Sequence, residues 1–284
     1  MARRRLAPTR LAWHVVVLGL AGVFVLLPIC AFMLHSFWRL ENGRTIEEFT
    51  LDNYRTFFAE ATYLKVYFFT VLLSAGVTAL NVALGYLIAL FIVRRSKPVR
   101  FLLIVSFLVP LFMSYIIKIY ATRGILGQRG VLNEVLVNLG LIDEPLTFLL
   151  FSKAAIFLTL VIVYLPFAIL PIYLALDRIP KNYFAASADL GGSTWDELRF
   201  ILLPLSLPGG VAAVAFTFVL SFGDFVTPQM VGGTEGFTFG RIVFNQFGLS
   251  LNWPLGSALA VVLLATSLVV VAAAGMTVRR RHLT

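Results

Sequence analysis

The side chains best placed to do chemistry are two charges set in apolar surroundings, Asp224 in LSFGDFVTPQMVGG and Lys118 in SYIIKIYATRG. A charge held inside a bilayer costs at least about 2.5 to 3.5 kcal/mol, so such a residue marks a lined pathway, an ion pair or a side chain reaching for the headgroups. Asp224 suits a counter-charge to a cation passing between helices. Lys118 and Tyr115 lie along the same expected path, and Tyr164, Phe222 and Phe225 offer aromatic faces for cation–π contact. A structural bridge between Asp224 and Lys118 is the competing reading. Catalysis finds less support. His14, His35 and His282 are scattered and not at metal-ligand spacing. No H-E-x-x-H, G-x-S-x-G or G-x-x-x-x-G-K-[ST] occurs, so neither a catalytic residue, a metal site nor a phosphate-binding loop is expected.

These residues sit in a chain whose solvent must be lipid. Hydrophobic residues make up 60% of its 284 positions and the mean hydropathy is +0.92, against roughly 45–50% apolar residues in soluble domains. Crossing the bilayer as a helix takes about 20 apolar residues. Six spans are predicted, near 11–37, 63–93, 100–121, 153–176, 205–228 and 254–278, as one all-α membrane domain over residues 1–284. The first apolar run is longer than the roughly 7–15 residues of a signal-peptide core and lacks a clear cleavage site, so it reads as an uncleaved span. Cys30, the single cysteine, falls in that run as a filler between helices and permits no intrachain disulfide. Pro166 and Pro171 are expected to interrupt the fourth span, and Gly76 and Gly85 to allow close packing of the second.

Charge decides the orientation. Placing both termini with the connections near 94–100 and 177–204 on one side gathers fourteen of the 23 Lys and Arg there, against four acids. The positive-inside rule makes that side cytoplasmic. The net charge of +9 is therefore a topology signal, and nucleic acid is not an expected partner. On the other side, Val131 to Leu139 reads as a short helix stopped by Gly140, and the long outer connections read as solvated loops or as a platform for an external protein.

The polar insert YFAASADLGGSTWDELRFILLP, Tyr183 to Pro204, interrupts this pattern. Pro180 can open a helix through Leu190, and Gly191 and Gly192 end it. Ser193 with Asp196, or Thr194 with Glu197, reads as a capping box starting a second short helix past Trp195 toward Pro204. Ala185, Ala186 and Ala188 give a close-approach face with Tyr183, Phe184 and Trp195 as anchors.

The order Ala185-Ala186-Ser187, three residues, Gly191, nine residues, Ile201-Leu202-Leu203-Pro204 resembles the EAA motif of binding-protein-dependent ABC importer permeases. Ala186, Gly191, Ile201, Leu203 and Pro204 match it. Ala185 stands where that family usually has Glu, and Ser187 where it has the second Ala. The runs FTLDNY, GVLNEVLVNLGLID, VYLPFAILPIY, ADLGGS, VGG and NWPLGSA extend the resemblance over about residues 49–278, most closely to the spermidine/putrescine permeases. Permeases for phosphonates, opines, amino-acid derivatives or thiamine share much of it. The resemblance implies a type I importer fold in a bacterial inner membrane. It also implies a coupling loop at 177–204, with Ala185, Ala186, Ser187, Asp189, Gly191, Trp195, Ile201, Leu203 and Pro204 docking on an ATPase. The implied partners are a second, paralogous permease chain, two ATPase subunits and a solute-binding protein, with ATP and Mg on the ATPase and no cofactor in this chain. A secondary transporter and a membrane-embedded enzyme are the rival classes. The first is disfavoured by the lack of an internal repeat, the second by the lack of a polar cluster.

Overall fold

The computed structural model describes the backbone of residues 8–281 and, residue 21 apart, side chains over 19–278. Arg3, Arg4, Arg5 and His282 lie outside the described residues, as do the side chains of Arg10, His14, Arg279, Arg280 and Arg281. In chain order the elements are α1 (Pro8–His35), β1 (Arg39–Glu41), β2 (Arg44–Ile46), α2 (Asp52–Ala59), α3 (Ala61–Val93), α4 (Lys97–Phe112), α5 (Tyr115–Leu126) and α6 (Val131–Asn138). There follow α7 (Lys153–Asp177), α8 (Asn182–Asp189), α9 (Thr194–Asp196), a π-helical run (Glu197–Leu202), α10 (Leu203–Phe222), α11 (Val226–Val231), α12 (Phe239–Gly248) and α13 (Trp253–Arg281).

Length and apolarity qualify four stretches to cross a membrane, Ala61–Val93, Lys153–Asp177, Thr194–Phe222 and Trp253–Val278. The expected third span is a bent pair instead. α4 ends at Phe112 and the next helix leaves at 107°, which makes a fifth crossing if the pair counts as one. The break follows Pro110, which removes a ladder donor within the last turn of α4. Of the expected first span, the stretch Gly22–His35 is apolar but shorter. The fifth span also stops early, at Phe222 rather than residue 228, and Asp224 lies in the corner beyond it. Pro166 and Pro171 both lie inside α7, which continues through them over 25 residues.

The chain packs as two compact units. The first comprises residues up to Ala61 together with Val243–Val262. Its hairpin pairs Arg39 with Ile46, and Asn42 and Gly43 make the left-handed turn that an Asn-Gly pair favours. Asn53 ties α2 down by donating to the carbonyls of Ser36 at 2.9 Å and Trp38 at 2.7 Å. Cys30 is exposed, not packed between helices.

The second unit, Thr62–Ile242 with Leu263 onward, has its core between α3, α7 and α10. Small residues set the spacing. A Cβ on Gly209 would lie 2.5 Å from the carbonyl oxygen of Pro171, and one on Gly210 would lie 2.6 Å from the Tyr86 hydroxyl. Gly85 approaches Ala168 and Ile172 in the same way, at 3.1 Å, and Gly76 approaches Phe157 at 3.2 Å. Interhelical contact in lipid lacks a hydrophobic drive and relies on such close packing. Gly209→Val, which drives a side chain into backbone, is expected to cost about 1–3 kcal/mol or more. It should show as a lowered melting temperature in detergent, whereas Gly275→Val, where a Cβ meets nothing within 4 Å, should melt like the parent.

Candidate functional site

Two sites lie at opposite ends of α10, whose 20 residues rise about 30 Å. The elbow precedes the helix and a polar cleft follows it.

In the elbow, α8 ends in a Schellman motif. The Gly192 N–H donates to the Ser187 carbonyl at 2.8 Å and the Gly191 N–H to that of Ala188 at 3.0 Å. Gly191 holds φ +75°, the left-handed conformation that disfavours any Cβ. A Cβ on Gly192 would strike the Ser187 hydroxyl at 2.4 Å. The next helix opens with the Ser193–Asp196 capping box, one of the two boxes expected. Ser193 Oγ accepts from the Asp196 N–H at 3.3 Å, and the Asp196 carboxylate accepts from the Ser193 N–H at 2.9 Å.

The second arm is not a separate short helix. It runs on through the π-helical turn into α10, so the elbow is rigidly continuous with the span behind it. Leu202 seats in the core with Ile172, Tyr173 and Leu176. Arg100 pairs with Asp177 and donates to the Val93 carbonyl, tying the end of α3 to the end of α7. Ala185, Ala186, Asp189 and Gly191 are exposed, Ser187 is half-buried, and Leu190, Trp195 and Phe200 stand 89%, 65% and 65% exposed. Ile201 and Pro204 are half-buried and Leu203 is exposed on the second arm. The elbow thus presents aromatic and aliphatic area that nothing among the described residues covers.

At the far end, Asp224 is buried and fully engaged. Its Oδ1 accepts the backbone N–H groups of Val226 at 2.9 Å and Thr227 at 3.1 Å, anchoring α11. Its Oδ2 accepts from the hydroxyls of Tyr115 and Tyr164, the latter at 3.2 Å. Tyr115 also meets the Thr227 hydroxyl at 2.6 Å, and the two tyrosine rings stack 6.2 Å apart. Asp224, Tyr115, Tyr164 and Val226, together with Lys118, Phe167, Phe225 and the end of α10, line a cleft of about 440 Å³. Lys118 Nζ lies 5.5 Å from the centre of the Tyr115 ring. No salt bridge joins it to Asp224 among the described residues, so the anticipated bridge is absent.

Five of the expected path residues therefore resolve into four that share the cleft and one that does not. Phe222 is fully buried, stacked between Phe218 and Phe239 with Tyr67 against its edge, because it is the last residue of α10 and faces the packed interior, while Asp224 lies in the corner past the helix end. Thr227, which completes the polar cluster, was not singled out; its place one turn after a buried acid was the available signal. No group of acids, histidines or cysteines fit for a metal occurs among the described residues.

Membrane-length helices, an exposed elbow and a charged aromatic cleft about a helix length away define a membrane transport component. Over residues 81–282 the sequence matches the family described as binding-protein-dependent transport system inner membrane component. It is 30% identical over 250 residues to the spermidine/putrescine transport system permease protein PotB of Escherichia coli K12, covering 88% of this chain and 90% of that one. To the inner membrane ABC transporter permease protein YdcU of the same organism it is 34% identical over 228 residues, 76% and 72% of the two chains. The fold matches a chain in the crystal structure of a bacterial ABC transporter involved in the import of the acidic polysaccharide alginate, with TM-score 0.75, 17% identity and 96% and 95% coverage. The chain belongs to the binding-protein-dependent inner membrane component family and is an ABC importer permease.

Because Asp224 satisfies four donors, Asp224→Ala should leave buried N–H and O–H groups unpaired, at about 1–3 kcal/mol for each group stranded. A clear fall in melting temperature is expected. Asp224→Asn keeps an acceptor for Val226 and Thr227 and should melt close to the parent; equal losses in both variants would place the charge itself, not the hydrogen bonds, in the structural role.

Proposed function

We propose that this permease translocates a polyamine, such as spermidine or putrescine, delivered by a solute-binding protein. The observation that carries the solute class is the 30% identity over 88% of the chain to the spermidine/putrescine permease. The cleft supports it: a buried carboxylate ringed by two tyrosines and Phe225 offers negative charge and aromatic faces to an ammonium group. Lys118 on the same wall favours a solute whose charges are spaced along a chain, so that one ammonium reaches Asp224 while a methylene stretch passes the lysine.

In this reading the elbow and both termini face the cytoplasm. A second, paralogous permease chain stands beside this one, two ATPase subunits below carry ATP and Mg, and this chain holds no cofactor of its own. Closure of the ATPase pair pushes the elbows together. Because each elbow is continuous with α10, that push turns the spans from inward-open to outward-open and exposes the cleft to the binding protein. Hydrolysis resets the pair.

Uptake of labelled spermidine by the reconstituted transporter tests the solute. Asp224→Asn is expected to reduce it at least tenfold, about 1.4 kcal/mol, with the subunits still assembled; unchanged uptake kinetics would remove Asp224 from the path. Gly191→Val, which strains the left-handed corner by about 1–2 kcal/mol, should leave the ATPase turning over without transport. Normal transport in that variant would refute the coupling role.

A further inference from the structure

Beyond the solute and its coupling, the basic end of α3 carries an unassigned feature. A groove of about 700 Å³ runs between the last turns of α3 and the start of the π-helical run. Its walls are Leu87, Leu90 and Phe91 on one side and Trp195 and Leu198 on the other, and its rim is Arg94 and Arg95. The Arg95 guanidinium lies 4.0 Å above the Phe91 ring. Arg94 and Arg95 also line an adjoining cavity of about 530 Å³, where Arg100 and Lys181 face Asp177 and Glu197, four bases against two acids. Arg100 takes Asp177. Among the described residues, neither Arg94 nor Arg95 has an ion pair, and the nearby Asp196 is engaged by Ser193.

We propose that this groove binds one anionic phospholipid, an acyl chain along Leu87, Leu90 and Phe91 and the phosphate at Arg94 and Arg95. Depth supports a lipid. α3 has 33 residues and rises about 50 Å, so its last turns reach the headgroup layer of a membrane that is about 40–45 Å thick with headgroups included. The apolar wall of Leu87, Leu90 and Phe91 belongs to a stretch that qualifies as a span, Ala61–Val93, and so continues from the basic rim toward the hydrocarbon. Charge selects the headgroup, since unpaired arginines at the cytoplasmic end of a span attract anionic lipid and Arg grips phosphate in two-point fashion. Because Trp195 and Leu198 form the second wall, a seated lipid braces the elbow where it joins α10.

The assembled transporter, with its ATPase subunits, should be purified in mild detergent from membranes containing phosphatidylglycerol and weighed by native mass spectrometry. The parent is expected to retain about one phosphatidylglycerol per copy of this chain. Arg94→Gln with Arg95→Gln should weaken its retention at least tenfold while the ATPase stays bound. Leu90→Trp, which fills the groove and keeps both charges, should do the same and carries the test if the double variant misfolds. Vesicles of phosphatidylcholine should not supply a replacement, and inorganic phosphate should not compete. Equal lipid retention in parent and variants would overturn the proposal. So would loss of the ATPase with lipid unchanged, which assigns the arginines to a protein contact, or a cysteine cross-link from position 90 to the second permease chain, which assigns the groove to that chain.

Discussion

The near-contact of backbones between α7 and α10 is the constraint on which the rest depends. With Gly209 against the Pro171 carbonyl and the small side chain of Ala175 on α7, backbone meets backbone at that crossing, while Gly210 admits the Tyr86 hydroxyl of α3, and neither helix can slide without collision. The ends of α7 and α10 then have fixed partners. At one end Leu202 docks beside Leu176 and Asp177 reaches Arg100. At the other, Tyr164 of α7 meets Asp224 just past α10. An elbow and a cleft about 30 Å apart are thus parts of one rigid pair.

That arrangement gives the two sites different kinds of stability. The elbow is held by local devices, a Schellman turn and a capping box, each worth about 1 kcal/mol. The cleft is held by a buried polar network in which one carboxylate serves two hydroxyls and two backbone groups. Buried networks of this kind are costly when any member is missing and specify a single geometry when complete. The first arm of the elbow, α8, is therefore adjustable against the second at small cost, while the wall of the cleft is not.

How much of this was legible in the sequence follows from the range of the forces involved. The glycine stop, the Ser193–Asp196 cap and the α6 helix ended by Gly140 are set within a few residues, and the chain declares them. The break after Phe112 was hidden because VPLFM before it and YII after it are both dominated by apolar side chains, and hydropathy does not register a change of direction. The π-helical run was hidden for a related reason: over the six residues ELRFIL, apolar positions fit more than one helical period. Phe222 was misplaced because only packing reveals which way a residue near a helix end points. The Gly209–Gly210 pair in the middle of a span was a readable signal for the closest helix contact, and it was the adjacent α3 glycines that drew notice instead. The pairing of Arg100 with Asp177, 77 positions apart, had no local sign at all.

The corner at Met113 and Ser114 has a consequence for where this chain can be placed. The 16 residues of α4 rise only about 24 Å, short of a hydrocarbon layer about 30 Å deep, so the corner falls among the acyl chains. There the last carbonyls of α4 and the first amides of α5 have no ladder partners, and each dry, unmatched group costs several kcal/mol. Phe112 is 84% exposed and Met113 41%, so the described residues leave the corner bare. Hydrocarbon is thus an unacceptable neighbour on that flank, and whatever abuts it must bring hydrogen-bonding capacity of its own, as a wet lumen or a second polypeptide.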